Sequence, residues 1–151
     1  MSDKKARKQA RSVKRNEKLQ MISVNWWNMG NNSQFVIDYK KRSIEFSVGV
    51  ITFCDSLPKT TSAQVIAKQL LRCATSVGAN FVEAQAAPTQ KDFLNFLSIA
   101  LKSGNETEYW LVLLERASIG DINMIKKLQC EVEELSKILG SIISKLLNKN
   151  R

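Results

Sequence analysis

The chain has 151 residues and carries 23 Lys and Arg against 14 Asp and Glu, with no His, for a formal net charge of +9. This length fits one domain with a modest core, and a basic excess favours polyanionic partners such as nucleic acid or an acidic membrane surface. The absence of His removes the commonest general base and metal ligand, and with them Ser-His-Asp, Cys-His and Glu-x-x-His sites. Composition therefore argues against an enzyme.

The three cysteines, Cys54, Cys73 and Cys130, are far apart and form no Cys-x-x-Cys pair. This spacing is not that of a zinc site, and it is typical of reduced thiols in a cytoplasmic protein. No apolar run is long enough to cross a bilayer, and the basic N-terminus lacks the apolar stretch of a signal peptide. We expect a cytoplasmic protein without a metal, a cofactor or a membrane contact.

Residues 1–33 read as a basic, flexible N-terminal extension. The first 18 residues contain only two acids, Asp3 and Glu17, and little that is apolar. Their eight basic residues are our candidate nucleic-acid contacts: Lys4, Lys5, Arg7, Lys8, Arg11, Lys14, Arg15 and Lys18. The alternative is a tail that only keeps the protein in solution.

The adjacent Trp26 and Trp27 follow this basic stretch and precede Gly30-Asn31-Asn32-Ser33. The Gly and Asn residues break regular structure, and Ser33 is a suitable N-cap for a helix that follows. Paired Trp residues beside a basic tail can stack on bases. Packing against the outside of the domain is the commoner role of such a segment, and we favour it.

The first helix is predicted from about Gln34 to Ser56, because Pro58 disfavours a helical residue before it. Two apolar seams at helical spacing are predicted on this helix: Ile37, Ile44, Val48 and Ile51 form one, and Phe35, Tyr39, Phe46 and Phe53 form the other. Near the start of this helix, Lys40, Lys41 and Arg42 form a second candidate cluster for nucleic acid.

Three more helices are predicted, and short turns link them. The second begins near Thr61 or Ser62 and ends near Ala86. The third follows a capping arrangement of Thr89 with Asp92 and runs to about Ser118. The fourth starts after Gly120-Asp121. The predicted core of these helices comprises Ile66, Leu70, Cys73, Ala74, Val77, Phe81, Phe93, Phe96, Leu97, Ala100, Trp110, Leu111, Leu114, Ile125, Leu128, Val132, Leu135, Leu139, Ile142 and Leu146.

Four long helices with short links predict an all-α, antiparallel up-down-up-down four-helix bundle over residues 34–148. The fourth helix carries Ile138, Ile143 and Leu147 beside its main seam. This stripe is wider than one intramolecular groove requires, so it indicates self-association. The alternative is that the core of the bundle buries all of these side chains.

Polar residues interrupt the stripes of the second and third helices. Ser76, Asn80 and Glu83 share one face of the second helix, and Ser103 and Glu106 share one face of the third. Because both groups lie at similar distances from the link at Pro88, we expect them to meet as a structural hydrogen-bond network. The catalytic alternative is acid-base or metal chemistry by Glu83 and Glu106, which the lack of His disfavours.

The stretch "QLLRCATSVGANFVEAQAAPTQKDFLNFLSIALKSGNETEYWLVLL" resembles the family of 23S rRNA intervening-sequence proteins. The same family includes the accessory variability determinants of diversity-generating retroelements. The positions that carry the resemblance are Gln69, Leu70, Arg72, Ser76, Val77, Ala79, Asn80, Glu83, Asp92, Phe93, Ala100, Lys102, Glu106, Tyr109, Trp110, Leu113 and Leu114. The likeness extends over residues 34–148, and Ala84 and Gly104 depart from common family residues.

The resemblance implies a four-helix bundle that assembles as a ring, typically a homopentamer, without enzymatic activity. In the retroelement branch it implies binding to nucleic acid and to a reverse transcriptase. In the other branch the gene lies inside a 23S rRNA insertion.

From residues and resemblance together, we expect a non-catalytic, ring-forming accessory protein that binds structured RNA, with DNA as a second polyanion. The alternative is a protein-interaction scaffold whose tail is only solubilising. A membrane-surface helix is disfavoured because the apolar residues of the tail are small.

Overall fold

The computed structural model describes residues 34–148, and this part of the chain is helical, with no strand. Its elements are α1 (Gln34–Ser56), α2 (Thr61–Gln85), α3 (Gln90–Arg116) and α4 (Ile122–Asn148). The prediction of an all-α four-helix bundle is confirmed. The predicted extension over residues 1–33, including its eight basic residues and Trp26 and Trp27, lies outside the described residues.

Three of the helices, α2, α3 and α4, start at side-chain caps. The Thr60 hydroxyl accepts a hydrogen bond from the amide of Ala63 at 3.4 Å and begins α2. The Thr89 hydroxyl accepts one from the amide of Asp92 at 3.1 Å and donates to the Asp92 carboxylate at 2.6 Å, as the predicted capping arrangement requires. At α4, the Asp121 carboxylate accepts from the amide of Met124 at 2.8 Å. Such caps satisfy amides that have no partner within the first turn.

Neighbouring helices run antiparallel, as the contacts of α1 show. Near the end of α1, the Cys54 Sγ lies 3.8 Å from the carbonyl oxygen of Ala67, early in α2. Near its start, the ring of Tyr39 packs on Phe81, late in α2, with centroids 4.1 Å apart. The Tyr39 hydroxyl donates to the carbonyl oxygen of Leu135 in α4 at 3.2 Å. One buried aromatic residue therefore ties α1 to both of its neighbours.

Glu115 joins α3 to α4 close to their connecting turn. Its carboxylate lies 2.6 Å from Lys126 Nζ and accepts a hydrogen bond from the Gln129 amide at 3.0 Å. These two partners hold the pKa of Glu115 below its usual range, Lys126 contributing more.

Most of the predicted core is buried. The predicted side chains that the structure places in the interior are Tyr39, Phe46, Phe53, Leu70, Cys73, Ala74, Val77, Phe81, Phe93, Leu97, Ala100, Leu111, Leu114, Ile125, Leu128, Val132, Leu135, Leu139 and Leu146. Ile66, Phe96, Trp110 and Ile142 are half-buried. No helix among residues 34–148 is long and apolar enough to cross a membrane.

Of the two seams predicted on α1, the first lies on the outside of the bundle. Ile37, Ile44, Val48 and Ile51 are 55%, 53%, 55% and 44% exposed. Of the second seam, Phe35 is also exposed, at 42%. Both seams satisfy helical spacing, but the seam with Tyr39, Phe46 and Phe53 buries much larger aromatic side chains, and this decides which face turns inward. We call the set Ile37, Ile44, Val48 and Ile51 the α1 stripe.

Candidate nucleic-acid and assembly surfaces

The three basic residues near the start of α1 have different surroundings. The side chains of Lys40 and Lys41 are exposed, and Lys41 Nζ lies 3.9 Å from Glu45 in a solvent-exposed pair. The Arg42 guanidinium instead donates to both carboxylate oxygens of Glu131 in α4, at 2.9 and 3.0 Å. These hydrogen bonds raise the pKa of Arg42. Lys40 and Lys41 therefore remain available to a phosphate, whereas the charge of Arg42 is already compensated within the bundle.

The charge of the bundle is nearly balanced. Residues 34–148 contain 13 Lys and Arg and 12 Asp and Glu. Since the whole chain has a net charge of +9, almost all of the positive excess belongs to the residues outside this range. The described part is therefore not a polycation, and any strong attraction to a polyanion has to come mainly from the rest of the chain.

Ser76, Asn80 and Ser103 meet between α2 and α3. The Ser103 hydroxyl donates to the Ser76 hydroxyl at 3.0 Å, and the Asn80 amide donates to the Ser76 hydroxyl at 2.8 Å and to the Ser76 carbonyl at 2.9 Å. One turn along α3, the buried Thr107 hydroxyl donates to the Ser103 carbonyl at 2.7 Å. Ser76 thus accepts from both helices and fixes their register.

The two glutamates predicted for this network lie elsewhere. Glu106 accepts from the Arg72 guanidinium at 2.8 Å and from the Trp110 indole nitrogen at 3.4 Å, which makes a separate link between α2 and α3. Glu83 is exposed and borders a shallow groove between α1 and α2. The prediction that Glu83 joins the network is therefore corrected, because its position turns the carboxylate to solvent. Glu106 is bound to Arg72 whereas Glu83 is exposed, so the two carboxylates do not form a pair.

Two grooves flank the α1 stripe. The larger one, about 640 Å³, lies between α1 and α4 and has Phe46, Gly49 and Leu128 among its lining residues. The smaller, about 420 Å³, lies between α1 and α2 and includes Ile44 and Val48 of the stripe itself. Two residues of the stripe therefore line the smaller groove, whereas charged residues such as Arg42 and Glu45 line the larger one. On α4, by contrast, Ile138 and Ile143 are half-buried and only Leu147 of the predicted surplus is exposed.

The thiols differ in their access to solvent. Cys54 and Cys73 are buried, whereas Cys130 is exposed and lines the groove between α1 and α4. Burial raises the pKa of the Cys54 thiol to about 11, with a smaller contribution from Asp55. Burial also raises the pKa of Cys73. Within residues 34–148, no group of three or more His, Cys, Asp and Glu is arranged to hold a metal ion.

These features define a small helical bundle that is nearly balanced in charge over residues 34–148 and has an apolar stripe on the outside of its first helix. The model of the "23S rRNA-intervening sequence protein" family matches residues 37–141. The chain belongs to this family.

A solved structure supports the same assignment. The chain is 42% identical to a protein of unknown function from the S23 ribosomal protein family of Bacteroides thetaiotaomicron, with a TM-score of 0.64. The match covers 70% of this chain and 97% of the other. None of the curated proteins matches the chain significantly.

Sequence reasoning missed two features of the surface. The exposure of the α1 stripe was overlooked because periodicity does not tell an inner apolar face from an outer one. The partner of Arg42 was missed because Glu131 lies 89 residues away along the chain. A signal for the first was present: α1 has two apolar seams, and a helix at the corner of a bundle needs only one.

Proposed function

We propose that this protein is a non-catalytic, RNA-binding accessory protein that assembles as a homo-oligomer within a ribonucleoprotein. The observation that carries the proposal is the separation of charge from apolar surface. The basic excess belongs to residues outside the bundle, and eight Lys and Arg lie among the first 18. Phosphate neutralisation by such residues releases counterions and gives strong, salt-dependent binding to nucleic acid.

Assembly is supported by the outer face of α1. Four aliphatic side chains of the α1 stripe are about half exposed, and an apolar patch of this kind usually marks an interface. In a homo-oligomer, every copy contributes one basic tail. Several basic tails would then act on one RNA, which raises its affinity by effective concentration. A pentamer is the ring size that the family resemblance favours.

The non-catalytic part of the proposal rests on the chemistry of the polar residues. The sequence contains no His. The carboxylate of Glu106 is held by Arg72 and Trp110, and the hydroxyls of Ser76 and Ser103 are joined to each other. These groups are arranged to join helices, and each already has a hydrogen-bond partner.

The biological setting has two forms within the proposal. One is an accessory role beside a reverse transcriptase, as in diversity-generating retroelements, with DNA as a second ligand. The other is a role linked to a 23S rRNA insertion, which the family match favours. A reverse-transcriptase gene with a variable repeat beside this one would favour the first setting, and flanking rRNA sequence would favour the second.

The test is the binding of a labelled RNA hairpin by fluorescence anisotropy at constant salt. A variant in which all eight basic residues of the tail are replaced by Gln is expected to lose affinity by about 100-fold or more, because most phosphate contacts are removed. Lys40→Gln with Lys41→Gln is expected to give a smaller loss. The matched control, Lys68→Gln with Lys102→Gln, also removes two exposed charges and is expected to bind as the wild type does.

The second candidate is a protein-interaction scaffold, and the balanced charge of residues 34–148 together with the α1 stripe favours it. In that case the tail variant and the wild type would bind RNA equally weakly. If RNA binding were equally weak and the oligomer were intact, the scaffold would replace RNA binding as the proposed function.

A further inference from the structure

An exposed row of side chains runs along the outer face of α3. Its members recur every seven residues, which is close to two full turns of an α-helix, so they share one face. The row consists of four residues, all of them exposed: Asn95, Lys102, Tyr109 and Arg116. Successive members lie about 10 Å apart along the helix axis. We call this set the α3 row, and it places one aromatic ring between two cations.

The α3 row is more positive than the nearly balanced bundle to which it belongs. It contains no acid, and neither does the exposed row beside it on α3, which consists of Lys91, Ser98, Asn105 and Val112. Among residues 34–148, neither Lys102 nor Arg116 forms an ion pair. The exposed acid next to the row in sequence is Glu108, which is turned by about 100° from Tyr109 around the helix axis. The α3 row therefore attracts anions.

Tyr109 presents its ring to solvent and is supported from behind. At 60% exposure it is the most exposed large hydrophobic side chain in the described part of the chain. Its ring meets the indole of Trp110 at an angle of 74°, with centroids 5.1 Å apart. The Trp110 indole nitrogen donates to a Glu106 oxygen at 3.4 Å, and the same oxygen accepts from Arg72 of α2 at 2.8 Å. The ring of Tyr109 thus lies on a neighbour that is itself fixed to two helices.

An exposed aromatic ring between two cations suits a single nucleic-acid strand. Unpaired bases stack on such rings, and the cations beside the ring neutralise phosphates of the same strand. In a paired stem the bases stack on one another, so a stem does not offer them to Tyr109. The chemistry of the α3 row therefore differs from that of a basic tail, which attracts any polyanion.

We propose that the α3 row is a second RNA site, in which Tyr109 stacks on an unpaired base while Lys102 and Arg116 contact phosphates on either side of it. The inference rests on the proposed RNA-binding function and deepens it by naming the class of RNA that the bundle selects. The tail supplies the general attraction to phosphate, and the α3 row adds a preference for unpaired strands.

The test compares two labelled strands that have the same phosphates and differ only in their bases. One is a single strand of uridine nucleotides, and the other has abasic residues at every position. Titration of the full chain at constant salt, followed by fluorescence anisotropy, should show about 10-fold tighter binding of the uridine strand, because only this strand can stack. Tyr109→Ala should remove the preference, and Tyr109→Phe should keep it, since the ring is retained.

The matched control is Val112→Ala, which removes exposed apolar surface one turn along α3 from Tyr109. An aliphatic side chain does not stack on a base, so this variant should keep the wild-type preference. Loss of the preference in Val112→Ala as well would indicate a general apolar docking surface for a protein partner and would overturn the proposal. Equal affinity of the wild type for the two strands, or a preference that survives in Tyr109→Ala, would also overturn it.

The two cations are tested with Lys102→Gln combined with Arg116→Gln. This variant should bind the uridine strand about 10-fold more weakly, because two phosphate contacts are lost. Its affinity for the hairpin used above should stay at the wild-type value, since a paired stem does not place its strand on the α3 row. A loss of affinity for the hairpin that equals the loss for the uridine strand would overturn the site as one for unpaired strands.

The hairpin also separates a failure of this inference from a failure of the function on which it rests. Salt-dependent binding of the hairpin by a wild type that does not prefer the uridine strand would overturn only the α3 site. A wild type that binds neither the hairpin nor the uridine strand would overturn the RNA-binding function and the α3 site together. Circular dichroism spectra of the variants should match the wild type, because Tyr109, Lys102 and Arg116 are exposed.

Discussion

Arg42 and its two lysine neighbours differ because of one contact with a distant helix. The Arg42 guanidinium lies in bidentate geometry against Glu131, with side-chain exposures of 38% and 34%. A bidentate pair of guanidinium and carboxylate fixes the relative orientation of two helices more specifically than a lysine ammonium does. Three consecutive basic residues are therefore two candidate phosphate contacts and one link between α1 and α4.

Arg42→Gln is expected to lower the free energy of unfolding by up to about 1 kcal/mol, the modest value of a partly exposed ion pair. Lys40→Gln should leave the unfolding free energy unchanged, because its ammonium is exposed. Urea unfolding followed by circular dichroism measures both. Equal losses in the two variants would contradict the assignment of Arg42 to a structural role.

The buried thiol of Cys54 makes stability depend on pH in the alkaline range. Its pKa is raised to about 11 from an ordinary 9.0, since burial disfavours the thiolate. The unfolded chain therefore loses the thiol proton near pH 9, while the folded chain keeps it up to about pH 11. The contribution of the protonated Cys54 thiol to the free energy of unfolding is complete below about pH 9 and is lost as the pH rises to about 11. Tyr39, whose pKa is also raised by burial, acts in the same direction above its ordinary value of 10.0.

Cys54→Ala is accordingly expected to lose less stability than the wild type between pH 8.5 and pH 10.5, by about 1–2 kcal/mol. Urea midpoints at the two pH values, in reducing buffer, give the comparison. Cys130→Ser is the control, because it replaces an exposed thiol, and its pH dependence should follow the wild type. Parallel curves for Cys54→Ala and the wild type would show that Cys54 ionises normally in the fold.

At the scale of the helices, local signals were sufficient to predict the boundaries. The observed α1 has the predicted ends, and α2 and α3 end within two residues of the predicted positions. Thr89 with Asp92, Pro58 and Asp121 determine these ends through short-range sterics and hydrogen bonds. Such contacts involve residues close in sequence, so a single sequence contains them.

Contacts between helices were only partly predictable. The distance from the link at Pro88 was enough to bring Ser76 and Ser103 together, since antiparallel neighbours align residues equally far from their turn. The same reasoning failed for Glu83, because this exposed residue borders the groove between α1 and α2 and lies outside the contact between α2 and α3. α1 has two apolar faces, and only one of them can pack against the core. Periodicity alone does not predict which of the two is exposed.

Two glycines test how closely the helices approach one another. A Cβ atom at Gly78 in α2 would lie 3.2 Å from Ser43 Cβ in α1, which cannot rotate away, whereas one at Gly140 in α4 would meet nothing within 4 Å. Gly78→Ala should therefore destabilise the bundle by about 1–2 kcal/mol through overpacking. Gly140→Ala should stabilise it by about 0.5–1 kcal/mol, because Ala is the better helix former. Thermal unfolding compares them, and a gain in both variants would contradict the close approach of α1 and α2.

At the scale of the whole molecule, charge and apolar surface belong to different parts of the chain. The bundle over residues 34–148 is nearly neutral and has the exposed α1 stripe, and the first 18 residues hold eight basic side chains against two acids. This division allows one part to assemble and the other to bind a polyanion. If the protein assembles as proposed, each added copy brings one more tail to the same RNA, and the affinity rises although no new kind of contact is made.

The central claim is that the tail makes the main contact with RNA. The most direct measurement is the dependence of RNA affinity on salt concentration, for the full chain and for a chain that starts at Leu19. If all eight tail cations contact a duplex, the slope of log K against log salt is about −7 per chain, and the shorter chain should lose most of this slope and most of its affinity. Weak binding with the same shallow slope in both chains would contradict the claim and direct the search to protein partners.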